Sequence, residues 1–345
     1  MFSPRYKITH RLLNLLTSIT ASKEAIANAY IVPNWAMSLR KQALIQSAHS
    51  STAIEGNPLT LEEVSELAEG RDIMAQRKAK QEVLNYLDLL DRLPRLAPKK
   101  ELTEDTILNI HRLITDGVLE NYDDVGQYRN RQVVVVNRSS GEITFRPPET
   151  QDVPKLMTEF VVWLNHKDTK NLDPVLEAGI VHYEFVRIHP FIDGNGRVAR
   201  ALAALIFYQR GFDTNRFFAL DDYYDSDRLE YYHALQSVDP NICDLTEWLE
   251  YFAQGVALSV AAVQERVLKL SIDKRKVGRK GQKSLTERQI RIIEMIHDQG
   301  QIANRDVREM FGVSHQTAVK EIAKLVDSGL IKSEGLGRNT HYILS

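Results

Sequence analysis

The chain has 345 residues, of which 43% are hydrophobic and 26% charged, and 44 basic against 46 acidic side chains leave a formal charge of −2 at pH 7. This composition is typical of a globular protein, and the length predicts two or three domains. A nearly neutral chain has no global field that attracts nucleic acid or a membrane surface, so any such attraction must be local. Its single cysteine, Cys243, excludes an internal disulfide and a cysteine-based zinc cluster. There is no 18-residue apolar run, so we expect a cytoplasmic chain with no membrane partner.

The N-terminal part is dominated by helical spacing. Leucines and isoleucines recur with this spacing over residues 9–30, and residues 35–53 predict a second helix. Gly56 suits the end of that helix, and Pro58 prevents its continuation. Glu55 lies at the same end, where the helix dipole disfavours a carboxylate. It is therefore either a solvated residue near a turn or a residue with a second role.

Two threonines mark the starts of later helices. Thr60 is followed three residues on by Glu63, the spacing of a capping box. Thr103 is expected to open a helix over residues 102–117. The spacing also predicts helices over residues 153–165 and 174–188.

The period changes after residue 126. Four consecutive valines, a turn at residues 138–141 and the sequence Ile143–Phe145 predict a β-hairpin. The valines are Val133, Val134, Val135 and Val136. A lone hairpin is marginally stable, so we expect it to pack on the helical part as a connector or a functional element.

Residues 189–200 place a base, an acid, two glycines and two arginines within twelve positions. Gly194 and Gly196 flank Asn195 and allow backbone N–H groups to turn towards an anion at the start of the following helix. Arg197 and Arg200 are three residues apart, so both can hold phosphate oxygens from one side.

Two further residues of this stretch suit chemistry at a phosphate. Asp193 can hold a divalent cation that the phosphates share. His189 titrates near neutrality and can accept a proton from an incoming hydroxyl. His182, one helical repeat earlier, could form a two-histidine metal site, but no third ligand is suitably spaced, which favours a core histidine.

Two other interpretations of the same stretch are weaker. Gly194-x-Gly196-x-x-Ala199 fits a dinucleotide fingerprint, which requires a preceding strand, whereas residues 174–188 have helical spacing. A glycine-rich turn with solvated arginines would not need the histidine, the aspartate and the asparagine together.

The stretch resembles the signature of the Fic family, His-x-Phe-x-(Asp/Glu)-Gly-Asn-Gly-Arg-x-x-Arg, and matches it at every specified position. The resemblance implies an all-α Fic fold with a small β-hairpin flap. It also implies transfer of AMP from ATP to a protein hydroxyl, with His189 as catalytic base and Mg²⁺ or Mn²⁺ on Asp193. The nucleotide would be held by the rest of the signature: Gly194, Asn195, Gly196, Arg197 and Arg200.

A second segment, Ser51-x-x-x-Glu55-Gly56, resembles the inhibitory motif of the family, (Ser/Thr)-x-x-x-Glu-(Gly/Asn). In the family this glutamate pairs with the second arginine of the signature, here Arg200, and blocks the seat of the ATP γ-phosphate. An arginine that is occupied by an internal carboxylate cannot also hold a phosphate. Because the motif precedes the signature, the resemblance implies the N-terminally inhibited group.

The resemblance extends to two further elements. The hairpin resembles the Fic flap, which positions a target chain by pairing with it as an added strand; Val133, Val134, Val135 and Val136 would form that edge. Residues 227–235 and 244–249 resemble the last Fic helices, where a tyrosine lines the adenine pocket. We assign that role to Tyr232 and a polar contact with the nucleotide to Asn241.

Residues 269–284 carry seven basic side chains against one acidic, which is typical of a solvated hinge or of a segment that contacts nucleic acid. The last 61 residues resemble a separate winged helix-turn-helix domain with a recognition helix over residues 314–327. Its DNA-binding candidates are His315, Gln316, Thr317, Lys320, Lys324 and, in the wing, Arg338. Eight basic and eight acidic side chains make this a weak duplex binder on its own, and winged helices also dock proteins.

The resulting organisation is an N-terminal helical region with the inhibitory motif (1–100), a Fic core (101–267), a basic linker (268–284) and a winged helix-turn-helix domain (285–345). The predicted function is protein adenylyl transfer that is inhibited by the pairing of Glu55 with Arg200. The alternatives are AMP removal at the same site, with Glu55 orienting a water, and a DNA-bound regulator whose Fic part senses nucleotide. Expected partners are ATP, a protein with an exposed hydroxyl and the chain itself through auto-modification, with DNA and a second copy of the chain as further candidates.

Overall fold

The structure is a computed structural model that describes residues 2–29, 33–96, 101–136, 141–212, 219–270, 287–327, 329–335 and 340–344. It is mostly helical. The helices are α1 (His10–Asn28), α2 (Pro33–Ile54), α3 (Leu61–Ala68), α4 (Arg77–Leu96), α5 (Glu104–Thr115), α6 (Val153–Asn165), α7 (Pro174–Ile188), α8 (Asn195–Gln209), α9 (Leu220–Ser226), α10 (Arg228–Gln236), α11 (Thr246–Leu270), α12 (Glu287–Gln299), α13 (Asn304–Phe311) and α14 (His315–Asp327). The strands are β1 (Val135–Val136), β2 (Ile143–Phe145), β3 (Ile331–Glu334) and β4 (His341–Leu344).

The chain divides into two compact units. The first consists of residues 1–24 and 40–263, and the second of residues 25–39 and 264–345. Residues 25–39 thus group with the C-terminal residues, although the sequence analysis placed them in the N-terminal region. Among the described residues, no helix is long and apolar enough to cross a membrane.

The centre of the first unit is the pair of helices α7 and α8, which pack against each other and connect through the signature loop. Nearly every residue of α7 is buried, including the polar Glu177, His182 and Glu184, and most of its sequence is accordingly apolar. Helices α4 and α5 also pack on α8. Helix α11 packs closely on α7, where the indole Nε1 of Trp248 donates to the carbonyl of Gly179 at 2.8 Å.

Several helix boundaries follow the local signals in the sequence. The capping box of Thr60 and Glu63 is confirmed at the start of α3, and Thr103 caps α5. Gly56 has a φ of +89° just beyond the end of α2, a conformation that glycine adopts without strain.

The expected hairpin is present but shorter than the run of valines. Val135 pairs with Phe145 and Val136 with Ile143 in an antiparallel arrangement that is irregular between Val135 and Val136. Val133 and Val134 precede the strand. There, side-chain hydrogen bonds from Gln132 to the carbonyls of residues 147 and 148 hold the two arms together in place of a backbone ladder.

The second unit has its own core. Trp35 packs in it with residues from α12, α13, α14 and β3, among them Ile293, Val307 and Ile322. Strands β3 and β4 form an antiparallel pair, and Ile302 exchanges two backbone hydrogen bonds with Tyr342. Three helices followed by two strands is the order that the sequence predicted.

Gly179 offers a test of the packing of α7 on α11. A Cβ at this position would lie 2.8 Å from Cδ2 of Leu249 and 3.1 Å from Cδ1 of Phe252. We therefore expect Gly179→Ala to destabilise the protein by about 1–3 kcal/mol through overpacking. Urea unfolding measures this, with Leu258→Ala on the exposed side of α11 as control. Equal stability of Gly179→Ala and wild type would contradict this packing.

Candidate nucleotide and phosphate site

The signature loop is bounded by two residues with left-handed backbone conformation. His189 ends α7 with φ 51° and ψ 58°, and Gly194 precedes α8 with φ 84°. A left-handed histidine is uncommon and persists only where the surrounding contacts impose it. Asn195 closes the loop, because its side chain accepts from the N–H of Phe191 and donates to the carbonyl of Phe191, both at 2.9 Å.

The imidazole of His189 is prepared to accept a proton. Its Nδ1 lies 3.3 Å from the carbonyl of Val186, which can only accept, so Nδ1 carries the proton and Nε2 keeps its lone pair. Burial lowers the pKa of His189, and the charge of Arg129 acts in the same direction. The Val186 carbonyl and the charges of Glu55 and Asp193 oppose the shift. The lowered pKa favours the neutral ring, which is the form that acts as a general base.

A second histidine, His111 on α5, contacts the backbone of the signature loop at Asp193. The N–H of Gly126 donates to its Nδ1 at 2.9 Å, so its Nε2 carries the proton and donates to the carbonyl of Asp193 at 3.0 Å. The ring also stacks on Phe191, with the ring centroids 3.7 Å apart. His111 is fully buried, and this burial lowers its pKa to about 4. It is a neutral residue that fixes the backbone at Asp193.

Asp193 has the properties of a single-carboxylate cation ligand. Burial would raise its pKa, but the positive charge of Arg197 and the N–H of Gly194 hold the pKa below its ordinary value. Oδ1 accepts from Gly194 at 2.5 Å and from Arg197 at 3.3 Å, and the side chain is 47% exposed. Among the described residues, no group of three or more carboxylate, histidine or cysteine side chains is placed to hold a metal by itself. A cation here would need further ligands from phosphates and water, as Mg²⁺ commonly has.

Arg197 is a buried cation with unused donors. It is 1% exposed, and its Nη2 donates to Asp193, while Nη1 lies 3.9 Å from Oε1 of Glu82. In the described part of the chain, neither its Nε nor its Nη1 has a hydrogen-bond acceptor. Buried donors without acceptors are costly, so this guanidinium is suited to an anion that enters the site.

Arg200, one turn further along α8, donates three hydrogen bonds to Ser51 of α2 and to Glu55, which directly follows α2. Its Nη2 donates to Oε1 of Glu55 at 2.8 Å and to the carbonyl of Ser51 at 2.9 Å, and its Nε donates to Oγ of Ser51 at 2.7 Å. Burial would raise the pKa of Glu55, but the charges of Arg200 and Arg197 and the hydrogen bond from Arg200 hold it below its ordinary value. Glu55 is therefore an ionised partner of Arg200. Gly196 makes room for it, since a Cβ there would collide with Oε1 of Glu55.

A second carboxylate also faces Arg200. Oδ1 of Asp221, at the start of α9, lies 3.4 Å from Nε of Arg200, and Ser47 of α2 donates a hydrogen bond to the other oxygen. Burial raises the pKa of Asp221, although Arg200 and the hydroxyls of Ser47 and Ser51 oppose that rise.

The remaining expected site residues are on α10, in the turn after it and on the hairpin. Tyr232 is 40% exposed on α10, whereas its neighbour Tyr231 is buried and hydrogen-bonded at 2.8 Å to His182, which is surrounded by aromatic rings as a core histidine. Asn241 is exposed in the turn after α10, where its N–H donates to Asp239. Val134 and Val136 are exposed on the hairpin. The roles assigned to these residues stay predictions.

In the second unit, the residues expected to contact DNA lie at the start of α14. His315, Gln316 and Lys320 are exposed, and Lys324 is exposed one turn later with an ion pair to Glu321. Thr317 is half-buried, and its N–H and hydroxyl form hydrogen bonds with the hydroxyl of Ser314. Arg338 and most of the basic linker lie outside the described residues.

Three residues that build this site were missed by the sequence analysis: Arg129, His111 and Asp221. Arg129 donates to the carbonyl of His189 at 2.9 Å, and the other two act on Asp193 and Arg200. Each lies outside the signature; His111 is a polar residue among apolar ones on α5, whereas Arg129 lies in a turn and Asp221 at the start of a polar helix, where no local signal marks them. Polar groups in such positions need partners, but the sequence does not say which ones.

The buried state of His111 predicts a pH dependence of stability. Its pKa is about 4 in the folded chain and about 6.5 when unfolded, so between these pH values only the unfolded chain is protonated there. Stability should therefore fall as the pH falls through this window, by about 3 kcal/mol from His111 alone. His111→Gln should show a smaller fall between pH 7 and pH 4.5 in urea unfolding, whereas the exposed His233→Gln should match wild type. Equal slopes for all three proteins would contradict the buried neutral state.

Two family models match the chain. Residues 101–207 match the Fic/DOC family, and residues 292–345 match the family described as transcriptional regulator DIP2311-like, C-terminal domain. The chain is 32% identical over 203 residues to the protein adenylyltransferase Fic of Drosophila willistoni. The matched region covers 57% of this chain and 38% of that protein. The chain is 35% identical over 196 residues to the protein of the same name from Nematostella vectensis, covering 54% and 43%. The chain thus spans about two fifths of the length of these relatives.

A solved structure shows the same architecture. The Fic family protein from Desulfovibrio desulfuricans superposes with a TM-score of 0.71 at 23% identity, over 100% of this chain and 98% of that one. This likeness establishes the fold, and the family match covers the signature loop. Residues 101–207, which include the stretch from His189 to Arg200, therefore match the Fic/DOC family model within a helical core of the same fold.

Proposed function

We propose that this chain is a protein adenylyltransferase that Glu55 inhibits. The observation that carries the proposal is the buried guanidinium of Arg197, whose Nε and Nη1 have no acceptor within the described structure. It lies at the N-terminus of α8, where unpaired backbone N–H groups and the helix dipole favour an anion. The neutral imidazole of His189 is on the same loop. A polyphosphate bound by Arg197 would lie at the end of the loop that carries this base.

The reaction would be an in-line displacement. The hydroxyl oxygen of a protein substrate forms a bond to the α-phosphorus of ATP while the bond to the bridging oxygen breaks and pyrophosphate leaves. Nε2 of His189 takes the hydroxyl proton. Arg197 and the first N–H groups of α8 neutralise the charge on the phosphates, so positioning and electrostatics supply most of the rate. The curated relatives named protein adenylyltransferase Fic support this chemistry.

Asp193 is the residue that would hold Mg²⁺ or Mn²⁺. Its ionised, half-exposed carboxylate fits a cation that takes its other ligands from phosphates and water. When bound, the cation would neutralise phosphate charge. His111 holds the backbone of Asp193 in place through its bond to the carbonyl.

Inhibition follows from the competition for Arg200. Its Nη2 is held by Glu55 and by the carbonyl of Ser51, and its Nε by the hydroxyl of Ser51. A γ-phosphate would have to displace the carboxylate of Glu55, since the two anions need the same guanidinium edge. Glu55 also occupies the space above Gly196, which is part of the phosphate seat.

The test uses wild type, Glu55→Gly and the double variant with His189→Ala, each incubated with α-labelled ATP and Mg²⁺. Labelling of protein, through auto-modification or of added lysate proteins, should rise about 10-fold or more in Glu55→Gly. It should fall by about 100-fold or more in the double variant. The double variant should still bind ATP in calorimetry. Labelling that His189→Ala leaves unchanged would contradict the proposal, and release of AMP from labelled protein by wild type would favour the AMP-removal alternative.

A second candidate function is DNA binding by the C-terminal unit, which we propose as a winged helix-turn-helix. The match of residues 292–345 to a transcriptional regulator domain favours it, as do the three helices followed by an antiparallel strand pair. Exposed His315, Gln316 and Lys320 begin the helix that would enter the groove.

Fluorescence anisotropy with a random 30-base-pair duplex tests this candidate. The full chain should bind with an affinity that falls steeply as salt rises. Lys320→Ala should reduce the slope of log K against log salt by about 1, because one phosphate contact is lost. Lys332→Ala, which removes a strand lysine that pairs with Glu334, is the matched control. Absence of salt-dependent binding would exclude duplex binding and favour protein docking.

A further inference from the structure

Arg129 connects the backbone at His189 with the two ends of the hairpin, and the proposed function needs these at a fixed distance from each other. It lies in the turn before the hairpin, it is 3% exposed, and its hydrogen-bond acceptors are carbonyl, amide and hydroxyl oxygens. Because Nε, Nη1 and Nη2 of this planar, buried guanidinium all donate hydrogen bonds, the acceptor groups are held in one fixed arrangement.

One side of Arg129 holds the backbone at the catalytic histidine. Its Nε donates to the carbonyl of His189 at 2.9 Å, and its backbone N–H donates to the carbonyl of Pro190 at 2.8 Å. These two carbonyls belong to His189, which has the left-handed backbone conformation, and to the residue directly after it. A strained conformation of this kind costs about 1–3 kcal/mol and needs surrounding contacts to persist. Arg129 supplies two of them.

The other side of Arg129 holds both arms of the hairpin. Its Nη1 donates to Oε1 of Gln132 at 3.1 Å, before β1, and to Oγ1 of Thr150 at 2.7 Å, after β2. Its Nη2 donates to the carbonyl of Pro148 at 2.5 Å. Gln132 in turn donates to the carbonyls of Pro147 and Pro148. A single guanidinium thus bonds both the carbonyl of His189 and the residues that flank the hairpin, Gln132 on one side and Pro148 and Thr150 on the other. We call these flanking residues the hairpin base.

We propose that Arg129 is a positioning residue that fixes the catalytic His189 and the hairpin relative to each other. The inference rests on the proposed function in that the hairpin brings the substrate hydroxyl and His189 takes its proton. A substrate strand that pairs with β1 or β2 then arrives at a fixed place relative to Nε2. Because a misplacement of about 1 Å costs roughly 100-fold in rate, loss of Arg129 should slow transfer while leaving the phosphate contacts of α8 intact.

The charge of Arg129 gives a readout that a purely structural role would not move. Four groups act on His189 besides burial: the Val186 carbonyl, Glu55 and Asp193 raise its pKa, and Arg129 lowers it. Removing the positive charge should therefore raise the pKa of His189. Arg129→Lys keeps the charge but cannot form the fork, so it should keep the lowered pKa and still lose transfer.

Arg131 provides a matched control two residues away. It is exposed and forms a two-pronged pair with Asp124, at 2.7 Å and 3.0 Å. Arg131→Gln removes the same charge and a similar number of hydrogen bonds without touching the hairpin base or the carbonyl of His189.

The experiment compares Arg129→Gln, Arg129→Lys and Arg131→Gln in the full chain. Histidine NMR, with His189→Ala to assign the signal, measures the pKa of His189, and hydrogen exchange measures opening at Val135 and Val136. Arg129→Gln should raise that pKa and accelerate exchange at least about 10-fold, whereas Arg131→Gln should match wild type. If Arg129→Gln does not fold, accelerated hairpin exchange in Arg129→Lys decides the proposal. An unmoved pKa in folded Arg129→Gln, or unchanged exchange in both Arg129 variants, would overturn it.

Transfer is measured in the Glu55→Gly background. Both Arg129 variants should lower kcat by about 100-fold with ATP affinity within about twofold of the parent. A parallel loss of ATP affinity would overturn the positioning role. If Glu55→Gly itself transfers no AMP, the proposed function fails, and the NMR measurements still decide whether Arg129 joins the hairpin to His189.

Discussion

The interaction between Arg200 and α2 sets the state of the whole site. A buried guanidinium needs acceptors, and Arg200 takes them from Ser51 and Glu55, which lie about 150 positions earlier in the chain. Removing one partner of a buried pair leaves an uncompensated charge, at a cost of about 3–5 kcal/mol. Glu55 therefore leaves this position at low cost only when another anion replaces it. A nucleotide phosphate is such an anion, so in the proposed mechanism inhibition and substrate binding would be one competition for Nη2 of Arg200.

The site around this pair is held by residues that do not touch the phosphate seat. His111 fixes the carbonyl of Asp193, Asn195 closes the loop on Phe191, and Arg129 fixes the carbonyl of His189. Asp221 lies beside this pair, with Oδ1 3.4 Å from Nε of Arg200, but in the described structure that oxygen accepts no hydrogen bond from the guanidinium. In the proposed mechanism the signature would supply the reacting groups, and contacts from α2, α5 and the hairpin would determine their geometry.

The features that the sequence predicted well are local. The capping box of Thr60 and Glu63, the extents of α6 and α7 and the hairpin follow from spacing and turn residues within a few positions. The signature resemblance also brought Glu55 to Arg200, a contact that periodicity alone could not suggest. The residues that escaped prediction, Arg129 and Asp221 among them, act through contacts of long sequence separation. Nothing in the local pattern distinguishes Arg129 from Arg131, although the first is buried and the second is exposed.

The competition at Arg200 can be measured directly by NMR of arginine Nε–H groups, with Arg200→Lys to assign the signal. ATP and Mg²⁺ are added to wild type and to Glu55→Gly, and the Arg200 resonance is followed in both. We predict a large shift in Glu55→Gly at ATP concentrations that leave the wild-type signal in place, because in wild type Glu55 holds Nη2 of the same guanidinium. Equal shifts in the two proteins at equal ATP occupancy would show that Glu55 and phosphate do not compete for Arg200, and the proposed mechanism of inhibition would be wrong.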